Sequence, residues 1–185
     1  VPMSAHAPAA EPHAFAADGS QYLTFRLADE EYGLEILRVQ EIKGYSKVTP
    51  LPNTPPEVRG VMNLRGAVVP ILDLRTRFGL AGAEYTRFTV IIVVTVGAKI
   101  VGLVVDAVSD VLNVAASEVV PTPDLGAGVD TSYMTGMART GDRLITLLNV
   151  NRLVGLSPAH DGPAALAERE RQVLLKRAAE SASAT

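Results

Sequence analysis

The residues able to do chemistry are placed along these 185 residues in a way that argues against catalysis. The chain has no cysteine, which removes disulfides, thiolate metal sites and cysteine nucleophiles. Its three histidines, His6, His13 and His160, fall in stretches rich in Ala and Pro, and no two stand at metal-ligand spacing. Serine and threonine hydroxyls lack a histidine or lysine base within a structured segment, and no pair of carboxylates stands out as an acid–base couple. No glycine-rich loop followed by lysine joins a strand to a helix, so a phosphate cradle is unsupported. The expectation is a protein that binds rather than reacts, with no enzyme activity, no cofactor and no metal.

One cation stands apart. From Met62 to Leu74 the chain reads M-N-L-R-G-A-V-V-P-I-L-D-L. Asn63 and Gly66 mark a turn with Arg65 inside it, and the run Val68, Val69, Ile71, Leu72 reads as a buried strand. Asp73 then caps a short helix that stops at Gly79. Arg75 and Arg77, with Arg87 nearby, read as the solvated face of that helix.

The elements that must position this turn are mostly strands. Leu23, Phe25 and Leu27 alternate with polar residues, as do Tyr32, Leu34 and Ile36, and Asp29-Glu30-Glu31 supplies the turn between them. Four prolines between residues 47 and 56 exclude a long helix there. The apolar run from Phe88 to Val105 contains one charge, Lys99. Gly97-Ala98-Lys99 breaks it into a hairpin of two buried strands rather than a membrane span. Leu144 to Leu148 is the last strong strand, and Asn149 opens another short helix. Residues 1–20 read as a disordered leader, with Val1-Pro2 as a cloning remnant. Residues 157–163 read as a linker, and residues 164–182 as a helix with the apolar stripe Leu166, Val173, Leu174 and Ala178.

The chain also repeats itself. G-L-E-I-L-R-V-Q-E-I from Gly33 aligns with G-L-V-V-D-A-V-S-D-V from Gly102, an offset of 69 (102 − 33). Gly60 aligns with Gly136, an offset of 76 (136 − 60), which matches Asp73 to Asn149 and Gly79 to Gly155. Two duplicated units of short strands most naturally close as two small barrels packed together. Acids recur at Glu41 and Asp110, so that position serves the fold. Arg65 aligns with Gly141, so the fold does not require an arginine there, and Arg65 becomes a candidate for a partner. Hydrophobic residues make up 48% of the chain, enough for a packed core, and the net charge of −3 argues against nucleic-acid binding.

The motifs E-E-Y-G-L-E-I-L-R-V-Q-E-I from Glu30, N-T-P from Asn53, V-M-N-L-R-G-A-V-V-P-I-L-D-L from Val61, G-L-V-V-D-A-V-S-D-V-L from Gly102 and Y-M-T-G-M from Tyr133 resemble the CheW family of chemotaxis coupling proteins. The resemblance runs from about residue 21 to residue 156. It implies an all-β fold of two SH3-like five-stranded barrels packed together, with short helices and the C-terminal helix added. The barrels would divide near residue 85 (roughly 21–85 and 86–156), with strand exchange between them left open. It also implies a non-enzymatic, cytoplasmic adaptor, without membrane insertion, that links the regulatory domain of the histidine kinase CheA to chemoreceptor tips in membrane-associated arrays. Carried over by position, Ile36, Val39, Glu41, Arg65 and Val111 would meet the receptor in a groove between the barrels, and Gly60, Asn63 and Gly66 the kinase. Glu41 would hold Arg65 in orientation. The alternatives are a CheW-like module of another signalling pathway and a small-molecule-binding β-barrel.

Overall fold

The computed structural model describes residues 19–124 and 130–155. The expected linker, the C-terminal helix and the leader as far as residue 18 lie outside the described residues.

The strands are β1 (Gly19–Leu27), β2 (Glu30–Glu35), β3 (Val39–Gly44), β4 (Val58–Leu64), β5 (Ala67–Asp73), β6 (Val90–Val96), β7 (Lys99–Val105), β8 (Ala107–Ala115), β9 (Val119–Val120), β10 (Met134–Thr140) and β11 (Arg143–Leu148). Short 3-10 turns at Ile36–Arg38 and Ala116–Glu118 lead into β3 and β9. One-turn helices α1 (Leu74–Arg77) and α2 (Val150–Leu153) follow β5 and β11. β1 begins at Gly19, two residues before the strand start expected near residue 21.

Two sheets form, in the orders β8-β1-β2-β11-β10-β9 and β3-β6-β7-β5-β4. Apart from the two-residue β9, each has five strands, and together they make an all-β fold of two SH3-like barrels. The duplication is visible in the pairings. β2 pairs in parallel with β11, placing Gly33 opposite Leu147. β5 pairs in parallel with β7, placing Gly102 opposite Ile71. Each barrel therefore takes its first hairpin from one repeat and its remaining strands from the other.

The expected division near residue 85 does not coincide with the sheets. β1 and β2 belong with β8–β11, and β3–β5 belong with β6 and β7. A lone two-stranded hairpin is marginal in water, so each first hairpin gains by inserting between strands of the other repeat. The crossings also knit the barrels covalently at Glu35–Val39 and at Val105–Ala107.

This exchange explains the long apolar run. Ile91 and Val93 on β6 fill one barrel core with Met62, Leu64, Val69, Ile71 and Val104. The alternate residues Ile92 and Val94 point the other way, into a larger core shared by both barrels with Leu23, Phe25, Leu34, Leu103 and Leu148. Val114, Ala138, Ile145 and Leu147 fill the second barrel. Strands buried on both faces need no polar alternation. A row of rings crosses the shared core's edge: Phe25–Tyr32 at 5.9 Å, Tyr32–Phe78 at 5.3 Å and Phe78–Tyr133 at 4.8 Å between centroids.

Both capping residues act as expected. The Asp73 carboxylate accepts from the Arg75 and Thr76 amides, and the Asn149 side chain from the Arg152 amide. Asp73 is 3% exposed and also accepts from Arg59 and from the Tyr85 hydroxyl at 2.8 Å. Burial, and then the hydrogen bond to Asp73, push the Tyr85 hydroxyl pKa up.

Candidate partner-binding site

The turn joining β4 to β5 has Arg65 and Gly66 as its two central residues, closed by the Leu64–Ala67 pair. Both are left-handed, with φ of 50° and 88°. Two positive φ values in a two-residue hairpin loop match the twist of the flanking strands, and glycine and asparagine are the residues that take them readily. The Asn63 side-chain oxygen accepts from the Gly66 amide at 2.9 Å and ties the corner. Arginine is a costly choice at this position. The second repeat places Gly141 there, at φ 60°.

The strained turn aims Arg65 across its sheet. Its Nη2 donates to the Glu41 Oε2 at 2.6 Å, from the hairpin tip to β3. The contact expected between these two side chains is present. The arginine side chain is nonetheless 70% exposed against 25% for the glutamate, so the pair leaves most of that side chain to solvent.

Ile36 opens the 3-10 turn that carries the chain from one sheet to the other and Val39 follows it, and both pack half-buried against the shared core. Leu37 between them is 93% exposed. It borders a groove of about 300 Å³ lined by Gly19, Ser20, Gln21, Glu35 and Ile36. Ile36, Val39, Glu41 and Arg65 thus lie along one path, from the barrel junction through β3 to the β4–β5 tip. Val111 lies elsewhere, on β8 opposite Leu23 in the other sheet, and is exposed. It occupies the repeat position of Ile42, which is exposed on β3 (111 − 42 = 69).

Gly60, Asn63 and Gly66 each have a local task. Gly60 sits at φ 139°, and a Cβ there would come 2.0 Å from the Thr49 carbonyl oxygen. Its counterpart Gly136 lies against Val120 in the same way, with 2.9 Å available. Gly60 is therefore required by the fold, while Asn63 and Gly66 build the turn.

Three arginines were not legible as they stand. Arg75 is no solvated residue: its guanidinium grips Asp106, with Nε 2.8 Å from Oδ1, and that carboxylate also accepts from the Ala28 amide. Arg77 donates to the Leu153 carbonyl and fastens α1 to α2. Nothing in the sequence singles out Arg143. It donates twice to Glu31 at 2.8 Å and reaches Asp110, whose carboxylate also accepts from the buried Thr24 hydroxyl at 2.6 Å. Hydrogen bonds from Arg143 hold the Glu31 and Asp110 carboxyls below their ordinary range, and Thr24 adds to the effect on Asp110.

Arg143 corrects one inference from the repeat. Glu41 and Asp110 are equivalent acids, and each meets an arginine from the hairpin at the far end of its barrel. The second barrel supplies it two residues along, at Arg143 rather than at Gly141. The two arginines differ in company. Arg143 is clamped by two carboxylates, whereas Arg65 is bonded to one and projects from a strained turn.

Among the described residues no group of three or more histidines, cysteines or carboxylates is placed to hold a metal ion. Among them, too, no helix is long and apolar enough to cross a membrane.

Known proteins share this architecture. The CheW-like domain family matches residues 21–157. The chemotaxis protein CheW of Klebsiella aerogenes is 46% identical over 136 residues, covering 74% of this chain and 82% of that protein. CheW of Rhizobium meliloti is 42% identical over 133 residues, covering 72% and 86%. Among solved structures, the scaffolding protein TtCheW of Thermoanaerobacter tengcongensis superposes with a TM-score of 0.68 at 33% identity, covering 73% of this chain and 92% of that one. These likenesses define a class: a chemotaxis adaptor of two SH3-like barrels. The chain belongs to the CheW family.

Proposed function

We propose that this chain couples chemoreceptor tips to the histidine kinase CheA by binding both, and that it catalyses no reaction of its own. Ile36, Val39, Glu41 and Arg65 form the receptor-facing path, with Val111 contributing from the second barrel. Gly60, Asn63 and Gly66 shape the kinase-facing corner. Binding to receptors brings the protein from the cytoplasm to membrane-associated arrays.

The observation that carries the reading is Arg65. It holds a left-handed conformation that its repeat partner fills with glycine, and it stands 70% exposed beside a single carboxylate. An always-charged fork fixed at a rigid corner suits a partner carboxylate or carbonyl. Glu41 keeps it oriented in the free protein, so a receptor acid competes with Glu41 for the same guanidinium. That competition gives a two-state element through which one partner biases the other. Ile36 and Val39 supply apolar contact at the edge of the core both barrels share.

The test is to titrate Arg65→Ala separately against a receptor tip and the kinase regulatory domain. As a central contact, Arg65 contributes about 2 kcal/mol or more to receptor binding. Unchanged receptor affinity together with unchanged kinase activation would overturn the assignment.

A further inference from the structure

We infer that the groove where the described chain ends is the docking site of the chain's own C-terminal segment. The groove holds about 400 Å³ and is lined by Val58, Pro70, Leu72, Val101, Val154 and Gly155. It lies between β5, β7 and α2, on a different set of residues from the receptor-facing path. Its rim carries Arg77 and Lys99 with one acid, Glu57. An apolar channel with charged edges is the shape that takes an amphipathic helix.

The position of the chain identifies the occupant. Gly155 lines the groove and turns the chain there at φ 75°, and thirty residues follow it. Within them, Leu166, Val173 and Leu174 recur at helical spacing, with Glu170 and Arg177 on the same face. The rim has both signs to meet them. Ten residues separate Gly155 from Leu166, a tether of up to about 35 Å, ample for return to the groove. The family match stops at residue 157, so this contact belongs to the chain's extension rather than to the shared domain. The inference is independent of the coupling role proposed above.

The absence of native cysteine makes a clean test. The chain carrying Lys99→Cys with Leu174→Cys is oxidised beside two controls: Lys99→Cys with Gln172→Cys, which lies opposite Leu174 at helical spacing, and Leu174→Cys with Asn113→Cys, on the other barrel. Circular dichroism checks that each variant folds. Docking predicts an intramolecular disulfide forming about tenfold faster in the first pair than in either control. It also predicts that adding Leu166→Asp and Val173→Asp returns the first pair to the control rate. Equal rates in all pairs, a rate untouched by the aspartates, or cross-links mainly between chains would each overturn the inference, the last in favour of a second copy.

Discussion

Replacing Arg65 by glycine separates the cost of the turn from the value of the side chain. Arg65 occupies φ 50° where the second barrel has Gly141 at φ 60°. Holding a residue with a Cβ in this region costs about 1 kcal/mol, which glycine does not incur. Against that stands the contact with Glu41. With the arginine side chain 70% exposed, such a pair contributes only about 0.2 to 1 kcal/mol. Arg65→Gly should therefore leave stability unchanged or raise it by up to about 1 kcal/mol. Arg65→Ala, which keeps the strain and loses the pair, should lower it by a few tenths. Urea unfolding with a common m-value reads both, and receptor binding should fall similarly in the two variants. A loss of more than about 1 kcal/mol in Arg65→Gly would show that the fold needs this arginine, and the argument that it serves a partner would fail.

Gly60→Ala should cost several kcal/mol, because its Cβ would meet the Thr49 carbonyl oxygen at 2.0 Å and φ is 139°. Thermal melting checks this, and any loss of kinase binding in that variant reports on the fold. Asp73→Ala removes a helix cap and leaves Arg59 and the Tyr85 hydroxyl without their shared acceptor, for a loss of about 3 kcal/mol in urea unfolding. The Glu31 and Asp110 carboxyls have depressed pKa values when folded, so their contribution is present above their unfolded pKa values, near pH 4, and is lost as pH falls through the lower folded ones. Arg143→Gln should flatten the acid side of a stability–pH curve, and an unchanged slope would refute the pairing. Leu37→Ser should change stability by less than about 0.5 kcal/mol while weakening receptor binding, since Leu37 is 93% exposed beside Ile36.

Much of this fold was written locally. Caps at Asp73 and Asn149, the turn at Asn63–Gly66 and the hairpin at Gly97 each depend on a few neighbouring residues, and such signals survive in a linear reading. Strand exchange does not. The parallel pairings of β2 with β11 and of β5 with β7 join residues far apart, and no periodicity within either strand records which partner it takes. The site divides the same way. The pairing of Glu41 with Arg65 came with the family resemblance, whereas the repeat by itself only marked Arg65 as unmatched and Glu41 as matched. The repeat could not mark Arg143, because an alignment by offset compares Arg65 with Gly141 and is blind to a side chain that reaches the equivalent acid from two residues along. The basic cluster at Arg75 and Arg77 reads as solvated in the sequence for a related reason. Its partners, Asp106 and the Leu153 carbonyl, come from the other half of the chain.

A coupling role requires that this chain physically link receptor to kinase. Co-sedimentation of the kinase with receptor-bearing membranes tests it most directly, with the wild-type chain, Arg65→Ala, or no chain added. Kinase should pellet with the membranes, and be activated, only when the wild-type chain is present, and Arg65→Ala should lose most of this effect. Kinase recruitment that is the same with and without the chain would contradict the coupling role.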